Sequence, residues 1–240
     1  YPSSPVIVGS VDTPRQARGI AVAGNYTYVA DGGSGLQVVD ITNPFSPVIV
    51  GRVDTAGQAL DVAAAGNYAY LADGYSGLQV IDLTNVALPV IVGLAGNGHA
   101  RSVTVAAGTA YVVGGSGLQV VDVTSPASPA LVGSVALPGA SNGVAVVGST
   151  AYVACFGLQV VDITDPASPV IMGGVEMGNE AHGVEVVGGY ACVAAAGSGL
   201  QILPTQCSSI TAVLRMEPRT INPRSRGVRV TAQIEFTSGH

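Results

Sequence analysis

Residues 35–42 read Gly35-Leu36-Gln37-Val38-Val39-Asp40-Ile41-Thr42, and the chain continues through Asn43-Pro44-Phe45-Ser46 into Pro47-Val48-Ile49-Val50-Gly51. A β-branched run ends in Asp and Thr, is turned by two prolines, and leads into a second β-branched run. That is the text of strand, turn and strand. It returns along the chain. Gly-Leu-Gln begins at Gly35, Gly77, Gly117, Gly157 and Gly199; Pro-Val-Ile-Val-Gly or a close variant begins at Pro5, Pro47, Pro89, Pro129 and Pro169. A third motif, of the type Tyr-Val-Ala, is anchored at Tyr28, Tyr70, Tyr111, Tyr152 and Cys192, so all three recur with a period of 40–42 residues.

Each period holds four short apolar runs separated by Gly, Asn, Asp, Ser and Pro. In the first period they are residues 19–23, 26–30, 36–41 and 48–53. The runs are apolar on both faces, as strands covered on both sides are. Four strands in some 40–45 residues are the signature of a propeller blade. The repeat is also out of phase with the chain. The fifth period lacks its Pro-Val-Ile-Val-Gly run, and a spare copy stands at the N-terminus, residues 5–9. The sequence therefore predicts an all-β fold, a five-bladed β-propeller of four-stranded blades over residues 1–207. In it residues 6–11 pair with 200–203 as the closing strand, and this covers a free edge.

The Gly-Leu-Gln-Val-Val-Asp-Ile-Thr and Asn-Pro-Phe-Ser-Pro-Val text resembles the LVIVD repeat of bacterial and archaeal surface proteins. The resemblance covers residues 5–206 and implies a propeller in a secreted or cell-surface setting. It implies no reaction. In the last copy Leu203-Pro204 replaces the Val-Asp of the others.

Charge is sparse, 10% of residues, and uneven. Residues 1–207 carry four Arg and thirteen acids, a net of −9; residues 208–240 carry five Arg and two Glu, a net of +3. An acidic body excludes nucleic acid as a natural partner. Its pairing with a basic tail suits contact between copies. No run of about twenty apolar residues occurs, so no membrane span is expected. The chain begins at Tyr1, which fits a processed chain that has lost an export signal. Cys155, Cys192 and Cys207 are too irregular for a disulfide framework or a metal motif and read as small apolar residues, with a bond between Cys192 and Cys207 left open. No nucleophile elbow, phosphate loop or zinc spacing is present. The chain is read as no enzyme, with no catalytic residue, cofactor or metal.

The repeated Asp40, Asp82, Asp122 and Asp162 each stand two places before a Thr and read as turn-formers rather than catalytic carboxylates. The positions that vary between repeats are more informative. Alignment on the Tyr anchors gathers Arg18, Asp31, Asp61, Asp73, His99, Arg101, Asn142, Glu180 and His182 on one face of the propeller, at the loops entering the first strand and joining the second to the third. Three readings stay open for them: a solvated rim, a ligand or partner site, or a metal or catalytic site built on His99, His182, Glu180 and Asp61.

Residues 208–240 read as a β-hairpin extension or the start of a truncated sandwich module. Ile210, Ala212, Leu214 and Met216 alternate with polar neighbours, and Val228, Val230, Ala232, Ile234 and Phe236 share one face of a second run. A lone hairpin is marginal in water. It must pack on its own propeller, belong to a larger domain, or add to a neighbour's sheet. In the last case Ile210, Leu214, Val228, Val230, Ile234 and Phe236, with Arg215 and Arg229, form the assembly interface. The function expected is that of a non-enzymatic extracellular structural or adhesive protein. It associates with itself, to the point of filaments, or binds other surface proteins or polysaccharide. The alternative is a carbohydrate-type ligand module or hydrolase on the varied face.

Overall fold

The structure, a computed structural model, describes residues 4–205 with the exception of Asn97 and Ser116. The expectations for residues 206–240, including the interface at Ile210, Leu214, Arg215, Val228, Arg229, Val230, Ile234 and Phe236, lie outside the described residues. The chain divides into two compact units, Tyr1–Leu203 and Pro204–His240.

The described residues form strands and no helix. Blade 1 is β1 (Gly19–Ala23), β2 (Tyr26–Ala30), β3 (Leu36–Asp40) and β4 (Val48–Val53). Blade 2 is β5 (Asp61–Ala65), β6 (Tyr68–Ala72), β7 (Leu78–Asp82) and β8 (Val90–Ala95). Blade 3 is β9 (Ala100–Ala106), β10 (Thr109–Gly114), β11 (Gly117–Asp122) and β12 (Ala130–Val135). Blade 4 is β13 (Gly143–Val147), β14 (Thr150–Cys155), β15 (Gly157–Asp162) and β16 (Val170–Glu176). Blade 5 is β17 (Ala181–Val187), β18 (Tyr190–Ala195) and β19 (Gly199–Pro204). Each blade is one sheet in sequence order, its measured pairs antiparallel; four have four strands and the last has three. The first strands pack in succession, β1 on β5, β5 on β9, β9 on β13 and β13 on β17. This is the arrangement of a five-bladed β-propeller.

The repeat text accounts for the packing. Each blade gives one face to the next. Tyr28, Ala30, Leu36 and Val38 of blade 1 pack on Ala59, Val62, Leu71, Ile81 and Leu83 of blade 2. Tyr70, Ala72, Leu78 and Val80 do the same to blade 3, and Tyr111, Val113, Leu118 and Val120 to blade 4. The core is thus a series of interfaces one repeat apart. Truncating a residue at the centre of one, Leu71→Ala, is expected to cost about 2–5 kcal/mol in urea unfolding, because the side chain is fully buried.

Outer strands β4, β8, β12 and β16 each carry a register shift at the same place, leaving Val50, Val92, Val132 and Met172 without a partner. Bulges of this kind twist an edge and hinder pairing with a further strand. The glycine that follows has a separate reason. A Cβ on Gly51 would strike the Val86 carbonyl, one on Gly93 the Pro126 carbonyl and one on Gly133 the Pro166 carbonyl, all in the next blade.

The expected pairing of residues 6–11 with β19 is not observed: residues 5–11 are in no strand, and blade 5 keeps three strands. Among the described residues β1 and β17 do not pack as closely as the other neighbouring first strands. Yet the N-terminal segment follows the path of an outer strand. Gly9 lies against the Pro44 carbonyl of blade 1 just as Gly51 lies against Val86 of blade 2.

Candidate functional site

The varied positions are set by the turn between second and third strands and by the loop that enters the next blade. Gly32 exchanges two backbone hydrogen bonds with Ala59, and Gly74 with Ala100. The turn of one blade thereby holds the entry to the next.

Asp31 and Asp73 are fully buried in these turns. Asp31 accepts from the Thr13 hydroxyl at 2.8 Å and the Arg15 amide at 2.9 Å. Asp73 accepts from the Thr55 hydroxyl at 2.7 Å and the Gly57 amide at 3.0 Å. Each carboxylate ties the segment that leads into its blade to the turn between that blade's second and third strands. Burial pushes the Asp73 carboxyl above the usual carboxylate range, against the pull of its Thr55, Gly57 and Ser76 donors. Asp61, the first residue of β5, accepts from the Ser102 hydroxyl at 2.7 Å and the Val103 amide at 3.1 Å, bonds that tie blade 2 to blade 3. Its carboxyl is likewise pushed up by burial. These three acids act inside the scaffold, with their oxygens committed to neighbouring backbone and hydroxyl groups.

The remaining candidates divide. Arg101 donates through Nε to His99 Nδ1 at 3.3 Å and through Nη1 to Asn142 Oδ1. Asn142 donates to the Ala181 carbonyl at 2.9 Å, so the chain of contacts runs from blade 3 through blade 4 to blade 5. Burial, and then the Arg101 charge, hold the His99 imidazole below its usual range. Arg18 is exposed and donates to Gln16 at 2.7 Å. Glu180 and His182 are exposed at the start of blade 5 and make no side-chain hydrogen bond to the other candidates. The structure thus brings His99, Arg101 and Asn142 together and leaves Asp61 and Glu180 apart from them. Among the described residues no three His, Cys, Asp or Glu side chains converge as metal ligands would. One residue went unnoticed in sequence: Tyr75 meets the His99 ring edge-on, centroids 4.5 Å apart and planes at 70°. Tyr75 occupies the turn position of Gly33 in blade 1, and that change of residue was the available signal.

The repeated aspartates have the turn role their text implied. Thr42, Thr84, Thr124 and Thr164 each donate a backbone amide to the Asp two places earlier. Among the described residues no helix is long and apolar enough to cross a membrane.

Comparison with known proteins agrees with this architecture. The profile of the LVIVD repeat matches residues 14–55, 56–94, 97–136, 138–176 and 178–203. No curated protein matches the chain. Among solved structures, the chain is similar to a computationally designed protein, Ika8, with a TM-score of 0.56 and 8% identity, over 80% of this chain and 72% of that one. At that identity the likeness concerns the fold alone.

Proposed function

For this chain, which belongs to the LVIVD repeat family, we propose the role of a non-enzymatic extracellular scaffold that associates with itself through its outer rim and residues 208–236. The observation that carries this reading is the apolar rim. Val48, Val90 and Val170 stand at one repeat position and are more than half exposed. Phe45 and Leu88, in the loops just before them, are 72% and 70% exposed. Exposed apolar residues thus recur at this position on three of the blades, with Ala130 in its place on blade 3, and exposed apolar patches of that kind mark surfaces for partners. The bulges in β4, β8, β12 and β16 hinder strand addition along the whole length of those edges, which leaves side-chain packing on the apolar rim as the main contact open to a partner. The extracellular setting rests on the likeness of the repeat to those of surface proteins.

In this reading the N-terminal strand closes the ring by completing blade 5. Support comes from its path: Thr13 and Arg15 bind Asp31 as Thr55 and Gly57 bind Asp73. Support comes also from two exposed half-cores. Ile20 on β1 is 66% exposed, whereas its equivalent Val62 is buried at 4%. Leu200 and Ile202 on β19 are 65% and 61% exposed, whereas Leu36 and Val38 are fully buried. A groove of about 480 Å³ beside Gly9, Val11, Ile20, Val29 and Val39 has the position that the preceding blade fills elsewhere.

Light scattering on size-exclusion fractions tests association. The full chain should form assemblies that grow with concentration. Deleting residues 208–240 should leave a folded monomer, and Ile234→Asp or Val90→Glu should weaken assembly. A full chain that stays monomeric at high concentration overturns the proposal.

A further inference from the structure

We propose that Tyr75, His99, Arg101 and Asn142 form a binding site for a carboxylate-bearing saccharide, on a different face from the rim. The argument starts from Arg101, which is half-buried at the start of β9. A guanidinium is charged at every accessible pH and has five N–H donors in a planar fork. Two of them are used, on His99 and Asn142, and both of those partners are neutral acceptors. Among the described residues no carboxylate pairs with the guanidinium. The acid on the neighbouring first strand, Asp61, turns instead to Ser102 and Val103. A partly desolvated cation with three donors to spare and no counter-charge is complementary to an oxyanion, and a carboxylate matches its fork with two parallel bonds.

The neighbours extend the site beyond a bare charge. Because His99 Nδ1 accepts from Arg101, the imidazole proton sits on Nε2, a further donor on the side of the ring away from the guanidinium, where a sugar hydroxyl rather than the carboxylate would meet it. Asn142 is fixed by its bond to the Ala181 carbonyl, so the side chain that orients Arg101 is itself held in place. Tyr75 is 87% exposed and meets His99 at an edge, which leaves a ring face open to solvent. An open aromatic face next to fixed donors suits the apolar C–H face of a sugar ring. The setting is shallow: the cavity beneath His99, lined by Gly77, Leu78, Ala100 and Val112, is about 10 Å³ and takes no side chain. That favours a carboxylated sugar, which can stack its C–H face on the open Tyr75 ring, over an acidic peptide, whose side chains would find no room in this cavity.

Isothermal titration calorimetry with the full chain tests this, using an oligogalacturonate, a neutral malto-oligosaccharide of equal length, an acidic peptide and acetate. The oligogalacturonate is expected to bind, with affinity falling as salt is raised. Arg101→Gln should weaken it by about tenfold or more, the scale of a lost bidentate charge pair. Arg101→Lys should recover part of the loss, and Tyr75→Ala should weaken binding without altering the melting temperature. Equal binding by Arg101→Gln, equal affinity for the neutral sugar, tighter binding of the peptide, retention per carboxylate by acetate alone, or no heat at millimolar sugar would each overturn the proposal. If Arg101→Gln lowers the melting temperature, Tyr75→Ala alone decides, because that side chain is exposed. Loss of self-association leaves this result unaffected, so the two readings fail separately.

Discussion

Ile202→Ala is expected to destabilise the protein by about 2–5 kcal/mol, the cost of emptying a buried core position. An exposed position would change stability by no more than about 0.5 kcal/mol. The two outcomes separate a closed fifth interface from an open one. Of the four residues equivalent to Ile202, Val38, Val80 and Val120 are fully buried between blades and Val160 is half-buried. Repetition also sets the strand register. Leu36 pairs with Val53, Gln37 with Arg52, Val38 with Gly51, Val39 with Ile49 and Asp40 with Val48. Moved by one ring, that register places Val11 opposite Leu200, Ser10 opposite Gln201, Gly9 opposite Ile202 and Ile7 opposite Leu203, with Val8 as the bulged residue. Directly opposed residues on antiparallel strands have Cα atoms about 4.5–5.5 Å apart, inside the range a disulfide spans. The double variant Ser10→Cys with Gln201→Cys should therefore oxidise within one chain, with peptide mapping showing the 10–201 link. By closing almost the whole chain it should stabilise by about 2–5 kcal/mol. A link found only between chains would mean that the blade is exchanged between copies. No link, together with a neutral Ile202→Ala, would sink closure by this strand.

Much of the architecture was legible because one unit is written five times. The blade count, the four strands and their limits follow from the spacing of Gly-Leu-Gln, Pro-Val-Ile-Val-Gly and the Tyr anchors. The chemistry of the varied face was less so, for a physical reason. A side chain's partner lies one repeat away or in the segment that leads into the blade: Asp61 and Ser102 are 41 residues apart, and Thr13 and Asp31 are 18 apart. Alignment shows which residues share a level of the ring. It does not show whether a carboxylate at that level faces the opening or its neighbour's hydroxyl. Asp31, Asp61 and Asp73 therefore read as candidates of the varied face and are latches, whereas His99, Arg101 and Asn142, gathered on that same face, touch one another. The aspartates before Thr42, Thr84, Thr124 and Thr164 were readable because their partner is two residues away.

Asp73→Ala should cost about 1–3 kcal/mol, because it strands the half-buried Thr55 hydroxyl and Gly57 amide. For a chain of this size each kcal/mol lowers the melting temperature by roughly 2–4 °C. Asp73→Asn sharpens the test. Its amide oxygen can keep Thr55, but its nitrogen then faces the Gly57 amide, donor against donor. The pH dependence gives the sign. Burial raises the folded Asp73 carboxyl above its ordinary value of 3.8. The folded chain therefore holds that proton more tightly than the unfolded chain, and the associated stability is present at low pH and lost as pH rises through the folded value. The surface carboxylates Asp40, Asp82, Asp122 and Asp162 are lowered by their Thr hydrogen bonds and act in the opposite sense, losing stability as pH falls. They are common to wild type and variant, so the difference between the two isolates Asp73. Urea midpoints measured from pH 4 to pH 7 should show the deficit of Asp73→Asn shrinking as pH rises. A deficit that grows with pH would mean an ionised, charge-stabilised Asp73, and the latch would then be an anion held by its donors rather than a buried acid.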